Sequence, residues 1–335
     1  MLKVHIAGRE QAIVVGDGDS LPDKATWYDL HDPDAEEVRA VEQAIGVQLP
    51  RREQISGIGL PSHRRSDEKA VHLHMALYSD SNGEPDKVPT GVVATSDALV
   101  TMRFGCCGII DEAAERVRED PQATAVGAFL TLLEMVTNQV AEQMQQIANG
   151  VGDLSAHIFV EQRLRTRELH RLMLRVGALE SRLARYRTSL LGIARMVDFV
   201  NHRPPPWISK SVLERLDVVD NDLETLDKFD EQLTSKLQFL LDAILGFINT
   251  AQNDVMKLLT VASVVTIPPI ILAAIWGMNF RHMPELDPVW GYPMALVLIV
   301  VSIAVPLGWF YRRGWLVQGR PKAKSSRVKD ASGAS

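Results

Sequence analysis

Two stretches near the C-terminus carry no charged residue: residues 258–276, 19 long, and residues 291–311, 21 long. A helix that crosses a bilayer needs roughly 20 apolar residues, because the hydrocarbon core is about 30 Å thick and a helix rises about 1.5 Å per residue. A buried helix of a water-soluble protein rarely stays uncharged over such a length. Both runs are therefore expected to span a membrane.

The charges around the runs give an orientation. After Tyr311 come Arg312, Arg313, Arg320, Lys322, Lys324, Arg327 and Lys329 against Asp330 alone, a tail of +6. Excess Lys and Arg beside a span mark its cytoplasmic side. The connection 277–290 has Arg281 against Glu285 and Asp287, a net −1. The first residues, MLKVHIAGREQ, hold no apolar block of signal-peptide length, so the part ahead of the spans is expected not to be exported. These features together predict a multi-pass protein of the cytoplasmic (inner) membrane with both termini in the cytoplasm. The chain is −6 overall, so the +6 tail leaves −12 for residues 1–311. An acidic cytoplasmic part argues against nucleic acid as a partner and is compatible with cation handling. No glycine-rich phosphate loop and no nucleophile motif is present, which points away from an enzyme.

The expected fold class is an α+β membrane protein. Residues 1–120 read as a cytoplasmic α/β domain. KAVHLHMALY (residues 69–78) alternates like a strand, and TGVVATSDALVTMRF (residues 90–104) reads as a hairpin around its Ser-Asp pair. DPDAEEVRAVEQAIG (residues 32–46) reads as a helix with Asp32 as its cap, Pro33 in its first turn and Gly46 at its end. SDSNGEPD (residues 79–86) reads as a surface turn. Residues 121–254 form a long-helix region and stalk: one helix over residues 160–202, a corner at RPPPW (residues 203–207), and a second helix from about Ser209 with no proline until Pro268. The membrane domain covers 255–312, with spans of about 255–276 and 291–311 and a short external loop 277–290; 313–335 is the basic tail. A helix that long suits a bundle of subunits. Arg171, Arg175, Arg182 and Arg185 share one helical face, and Asp217, Asp220, Glu224, Asp227 and Glu231 share another. The plain expectation is mutual pairing of the two faces. The sharper one is divalent-cation binding by some of these acids where subunits meet.

A stripe at three- and four-residue spacing leads into the first span: Asp242, Gly246, Asn249, Asn253, Met256, Thr260, Ser263, Ile267 and Ile271. A single spanning helix has no use for such a polar lower face, whereas a ring of helices would line a pore with it. The span holds no ionisable group, which argues for passive conduction over a proton relay. Mg²⁺ fits, since it sheds water reluctantly and can be held through its waters by amide and carbonyl oxygens. Met256 and Leu259 would form an apolar collar able to gate by expelling water.

QNDVMKLLTVASVVTIPPIILAAIWGMNFRHMPEL, followed by WGYP, a second span and RRGWL, resembles the CorA family of magnesium and cobalt transporters, whose signature is Gly-Met-Asn at the end of the first of two C-terminal spans. The likeness is close over about residues 230–316 and looser at residues 27–50 and 99–104. It implies a homopentamer in a lipid bilayer with a funnel-shaped cytoplasmic domain, the first span of each subunit lining the pore. It implies Gly277, Met278 and Asn279 as the outer selectivity ring, Asn253, Met256 and Leu259 as the inner constriction, Asp242 as a lower acidic ring, and Glu285 as the loop acid, with Asp287 beside it, drawing cations to the mouth. Asn249, Thr260, Ser263 and Ile267 complete the expected lining. Mg²⁺ would be both the transported and the regulatory ion, Co²⁺ or Ni²⁺ further cargo, with no other cofactor. Asp217 and Asp220 are the candidates for a regulatory Mg²⁺ site. Two departures stand out: Trp276 precedes the triplet where the family usually has tyrosine, and the pair Pro268–Pro269 puts a kink in question.

Two alternatives stay open. A zinc transporter of the same superfamily would use the same design; His72, His74, Cys106 and Cys107 keep it alive, although their spacing matches no metal cluster. A membrane-anchored scaffold or signalling pentamer would have no use for the polar stripe.

Overall fold

The computed structural model describes all residues except 17–18, 23, 57–64, 67–68, 82–83, 161–165, 280–288 and 316–335, and the backbone alone at 56, 65–66, 79–81, 84–85 and 166. The signature's trailing loop with Arg281, His282, Glu285 and Asp287, the centre of the expected turn at 79–86, and nearly all of the basic tail thus lie outside the described residues. The chain forms two compact units, Met1–Ile244 and Leu245–Ser335.

The first unit is built on a seven-stranded sheet. Its strands are β1 (Leu2–His5), β2 (Ile13–Val15), β3 (Trp27–His31), β4 (Arg65–Ser66), β5 (Ala70–Ser81), β6 (Glu84–Thr95) and β7 (Leu99–Arg103). They lie in the order β2-β1-β3-β7-β6-β5-β4, and only β3 and β7 run parallel. The hairpin expected around Ser96-Asp97 is present: Thr95 donates its N–H to the Ala98 carbonyl at 3.0 Å, closing the turn between β6 and β7. Helices α1 (Ala35–Ile45) and α2 (Arg52–Ser56) cover one face, where Val41, Leu49 and Ile55 join Leu30, Val93, Val100 and Met102 in a core. Four of the five β3 residues and all five of β7 are buried, so both faces of the central strands are covered.

The cap of α1 departs from expectation. Asp34, not Asp32, accepts the N–H groups of Glu36 and Glu37, both at 2.8 Å, and Glu37 returns a bond to the Asp34 N–H. Asp32 is diverted to the sheet: it adopts φ 42° and donates its N–H to the Arg103 carbonyl at the end of β7. Gly46 ends the helix with φ 68°, as its left-handed position demands.

On the opposite face, α3 (Gly108–Glu119) clamps a buried polar chain. The Trp27 indole donates to Thr101, Thr101 donates to Asp29, and Arg103, 1% exposed, holds Asp29 at 2.8 Å and Asp111 through two 2.8 Å bonds. Burial raises the Asp29 carboxyl above the usual range despite Arg103. Burial pushes Asp111 the same way, but the hydrogen bonds from Arg103 and Lys3 outweigh it and hold that carboxyl near 2. Nothing in the sequence pattern singled these residues out except a charge placed inside otherwise apolar strands.

Three long helices follow: α4 (Ala125–Val160), α5 (Thr166–His202) and α6 (Lys210–Trp276). The helix expected over 160–202 therefore starts later, because Val160 ends α4. Buried positions alternate by three and four residues on each: Val140, Met144, Ile147, Val151, Leu154, Ile158 on α4; Leu169, Leu172, Val176 and then Leu183, Tyr186, Leu190, Ile193, Val197, Val200 on α5; Leu216, Val219, Leu223 and then Asp230, Leu233, Leu237, Leu240, Ile244 on α6. This is the spacing of a coiled-coil seam. The Phe159–Phe239 stack and the Arg215–Glu134 pair join α6 to α4. The expected pairing of arginine face with acidic face is not what holds the helices together. Arg182 instead donates to Gln143 and Gln146 of α4, and the cross-helix pair to α6 is Arg187–Asp230 at 3.4 Å.

Asp230 occupies a seam position, is 0% exposed, and neither carboxylate oxygen has a hydrogen bond. Burial raises its pKa, with Arg187 opposing and Asp227 and Glu231 adding to the rise. The folded chain thus holds this proton more readily than the unfolded one, so the group's contribution to stability falls as pH rises from the ordinary carboxylate range through the raised value. Asp230→Asn is expected to raise the melting temperature relative to wild type at pH 7.5, and by less at pH 5, read by circular dichroism of the full chain in detergent. Arg103→Met should cost about 3–5 kcal/mol by stranding Asp29. Adding Asp29→Asn should recover part of the loss; a double variant no more stable than the single one would contradict the pairing.

Candidate ion pathway

The second unit holds residues 245–276 of α6 together with α7 (Gly291–Arg312). Both helices are long and apolar enough to cross a membrane, with mean hydropathy of 2.3 and 2.2 over their most apolar windows. Residue 257 is where charge stops: Lys257 pairs with Asp254 one turn earlier at 3.0 Å. At about 100° per residue, Asn249, Asn253, Met256, Thr260, Ser263 and Ile267 fall in one sector of roughly 80°. All six are exposed. Beyond Lys257 the less exposed positions are Val261, Val265, Pro268, Pro269, Leu272 and Trp276, which recur at the same spacing apart from the adjacent prolines. They centre roughly 140° away from the polar stripe. On α7, Ala295, Ile299, Ser302, Pro306 and Phe310 form a similar hidden stripe. The polar stripe is therefore not the covered face of α6. Leu259, grouped with Met256 by the resemblance, sits on its flank, roughly 80° from the centre. Asp242 belongs to the first unit, where it is exposed.

The hydroxyl of Thr260 donates to the Met256 carbonyl at 2.8 Å. With its hydrogen committed to the helix, the oxygen presents lone pairs, the polarity a cation needs. Pro268 and Pro269 both lie inside α6, which continues through them to Trp276. Without N–H groups they leave the Val264 and Val265 carbonyls without their usual partners four residues on.

The helix ends through backbone bonds: Gly277 donates to the Ala273 carbonyl at 2.9 Å, and Met278 to that of Ile275 at 3.3 Å. A β-carbon at Gly277 would stand 3.1 Å from the Ala273 oxygen, so a side chain there would crowd its own helix. Asn279 is exposed, and its amide makes no hydrogen bond among the described residues. Helix closure thus does not use the side chain of Asn279. At the other end of α7, Arg313 lies over the Trp309 ring at 4.5 Å, and Phe310 packs between Trp309 and Trp315. Such an aromatic and basic collar suits a membrane–water boundary.

The acids named as regulatory candidates lie near the corner between α5 and α6. Asp217 accepts from Asn201 at 3.3 Å. Burial raises the pKa of Asp220, helped by Glu224, Asp198 and Asp217. Asp198 on α5, itself 3.1 Å from His202, is the member that sequence spacing on one helix did not reveal. Among the described residues no three His, Cys, Asp or Glu side chains are grouped as a metal site within one chain. The soft ligands that suggested zinc are apart in character: Cys106 is exposed, whereas Cys107 is buried, its thiol pushed up to about 11 by burial, and His72 and His74 are engaged in interactions of their own.

A family model described as "CorA-like Mg²⁺ transporter protein" matches residues 22–312. A magnesium transport protein CorA from Haemophilus ducreyi is 27% identical over 313 residues, covering 92% of this chain and 98% of the relative. Among solved structures, the CorA magnesium transporter from Methanocaldococcus jannaschii superposes with a TM-score of 0.74 at 17% identity, over 94% of this chain and 99% of that one. The full-length CmaX protein gives a TM-score of 0.65 at 17% identity, over 93% and 96%.

Gly277→Ala is expected to destabilise the end of α6 by roughly 1 kcal/mol, the lower range for inserting a group where there is no room. Urea unfolding in detergent measures it; an unchanged midpoint would remove crowding as the reason for the glycine.

Proposed function

Because the chain belongs to the CorA family, we propose that it carries Mg²⁺ passively into the cell through a pore lined by the polar stripe of α6. The observation that carries this reading is the position of that stripe: the amides of Asn249 and Asn253 lead, on one exposed side of α6, into the hydroxyls of Thr260 and Ser263 within the charge-free run, which ends at Gly277-Met278-Asn279 with the Asn279 amide uncommitted among the described residues. Five copies would turn one stripe into a ring, in which Gly277, Met278 and Asn279 select the hydrated ion and Asn253, Met256 and Leu259 form the constriction. An inside-negative potential favours entry by about 2.3 kcal/mol per charge per 100 mV, and by twice that for a dication. Asp242 supplies a lower acidic ring, and Glu285 with Asp287 concentrates cations at the mouth. The membrane is the cytoplasmic one, with both termini inside; Co²⁺ and Ni²⁺ are further cargo.

Regulation follows from the same electrostatics. Burial and the neighbouring charges of Glu224, Asp198 and Asp217 raise the cost of ionising Asp220, so a divalent cation shared with another subunit at Asp217 and Asp220 would relieve the repulsion. High cytoplasmic Mg²⁺ would then favour the closed state. A zinc-specific reading is weaker, since the protonated, buried Cys107 is a poor ligand.

Mg²⁺ flux into liposomes is the decisive measurement. Asn279→Ala should lower flux at least tenfold, about 1.4 kcal/mol of lost discrimination, while the protein still assembles. Uptake of Zn²⁺ with none of Mg²⁺ would overturn the assignment, and flux unaffected by cytoplasmic Mg²⁺ would remove the regulatory part.

A further inference from the structure

The first unit contains a cavity of about 840 Å³ that the ion pathway does not use. Its walls come from six separate places in the chain: the end of β1, the approach to β3, the end of α1, the start of β5, the turn between β6 and β7, and the proline-rich corner between α5 and α6. That size is within the roughly 300–1,000 Å³ typical of small-molecule sites. Lys24 and Lys69 line it, both exposed and neither ion-paired among the described residues. Among the described residues Asp97 is the only acid on its walls. The aromatic side chains of Tyr28 and Trp207 line it as well, beside the apolar Ile45. The Trp207 indole N–H is shielded from solvent and has no acceptor among the described residues. A tryptophan N–H in that condition normally finds a partner.

The corner that ends in Trp207 is thus more than a device for reversing the chain. Pro205 and Ile208 anchor it, both buried, with the Ile208 N–H donating to the Pro205 carbonyl at 3.0 Å. Trp207 is held between them, three residues before α6 begins.

We propose that this cavity binds a nucleoside phosphate. A bare inorganic anion would use the lysines and leave the indole N–H unmatched. An uncharged aromatic molecule would leave both lysines unused. A nucleoside phosphate uses every feature: the ring stacks on aromatic side chains, an acceptor on its edge meets the Trp207 N–H after a small shift of the indole, Asp97 accepts from sugar hydroxyls, and the lysines meet phosphate oxygens. Among the described residues two lysines stand against one carboxylate, which favours an anion. Occupancy would brace the start of α6 against the sheet.

The test is calorimetric titration of the full chain in detergent, with EDTA present so that metal chelation does not contribute, using ADP and separately inorganic phosphate. ADP should bind with a Kd of about 1 mM or tighter, and inorganic phosphate at least tenfold more weakly. Trp207→Phe keeps a ring but removes the N–H, and should weaken ADP about fivefold. The double variant Lys24→Ala, Lys69→Ala should weaken it at least tenfold, about 1.4 kcal/mol, with an unchanged melting temperature. No ADP binding by the wild type overturns the proposal. So does equal affinity for ADP and phosphate, or ADP binding unchanged in both variants. Mg²⁺ flux plays no part in this readout, so its failure leaves the pore reading untouched.

Discussion

The free-energy cost of taking charge out of water organises both units. Inside the sheet domain the cost is met by concentration: Arg103 gathers two carboxylates and a carbonyl around a guanidinium that solvent barely reaches. Removing any one partner would strand the others, which is why such a cluster fixes its surroundings so firmly. In the helical seam the cost is only partly met, since Asp230 has one distant arginine and no hydrogen bond. In the membrane-crossing stretch the cost is avoided altogether. Charge stops at Lys257, and polarity continues through the span only as hydroxyls that need no counter-ion.

The helix α6 therefore carries two different surface patterns. Over 216–244 its buried residues follow a three-four alternation, broken only where Leu226 is half-buried, and pack against α4 and α5. Over 249–267 the informative residues are exposed polar ones, set apart from the covered face. The first pattern is ordinary packing. The second sets the hydroxyls of Thr260 and Ser263 beyond the last charge, in line with the amides of Asn249 and Asn253 ahead of it.

The ends of the elements show where sequence reading succeeded and where it slipped. The spans, the hairpin at residues 90–104, the corner at residues 203–207 and the Gly46 cap were legible because each rests on neighbours within a few positions. Asp32 was a plausible cap by composition, but its N–H is claimed by Arg103, 71 positions later in the chain. The arginine and acidic faces looked complementary, yet Arg182 found its partners on α4. The Trp27–Thr101–Asp29–Arg103–Asp111 chain left no periodic signal, since its members come from two strands and a helix far apart in sequence.

Sequence alone determined which residues can enter a bilayer, where charge stops, and that a Gly-Met-Asn triplet ends the first span; these follow from local composition, which hydrocarbon reads directly. Tertiary structure alone decided which polar residues lie away from the covered face, which charges are buried together, and that Trp207 meets Lys24 and Lys69 around one cavity. Those depend on chain segments brought together from far apart, and no short window of residues specifies its distant partners.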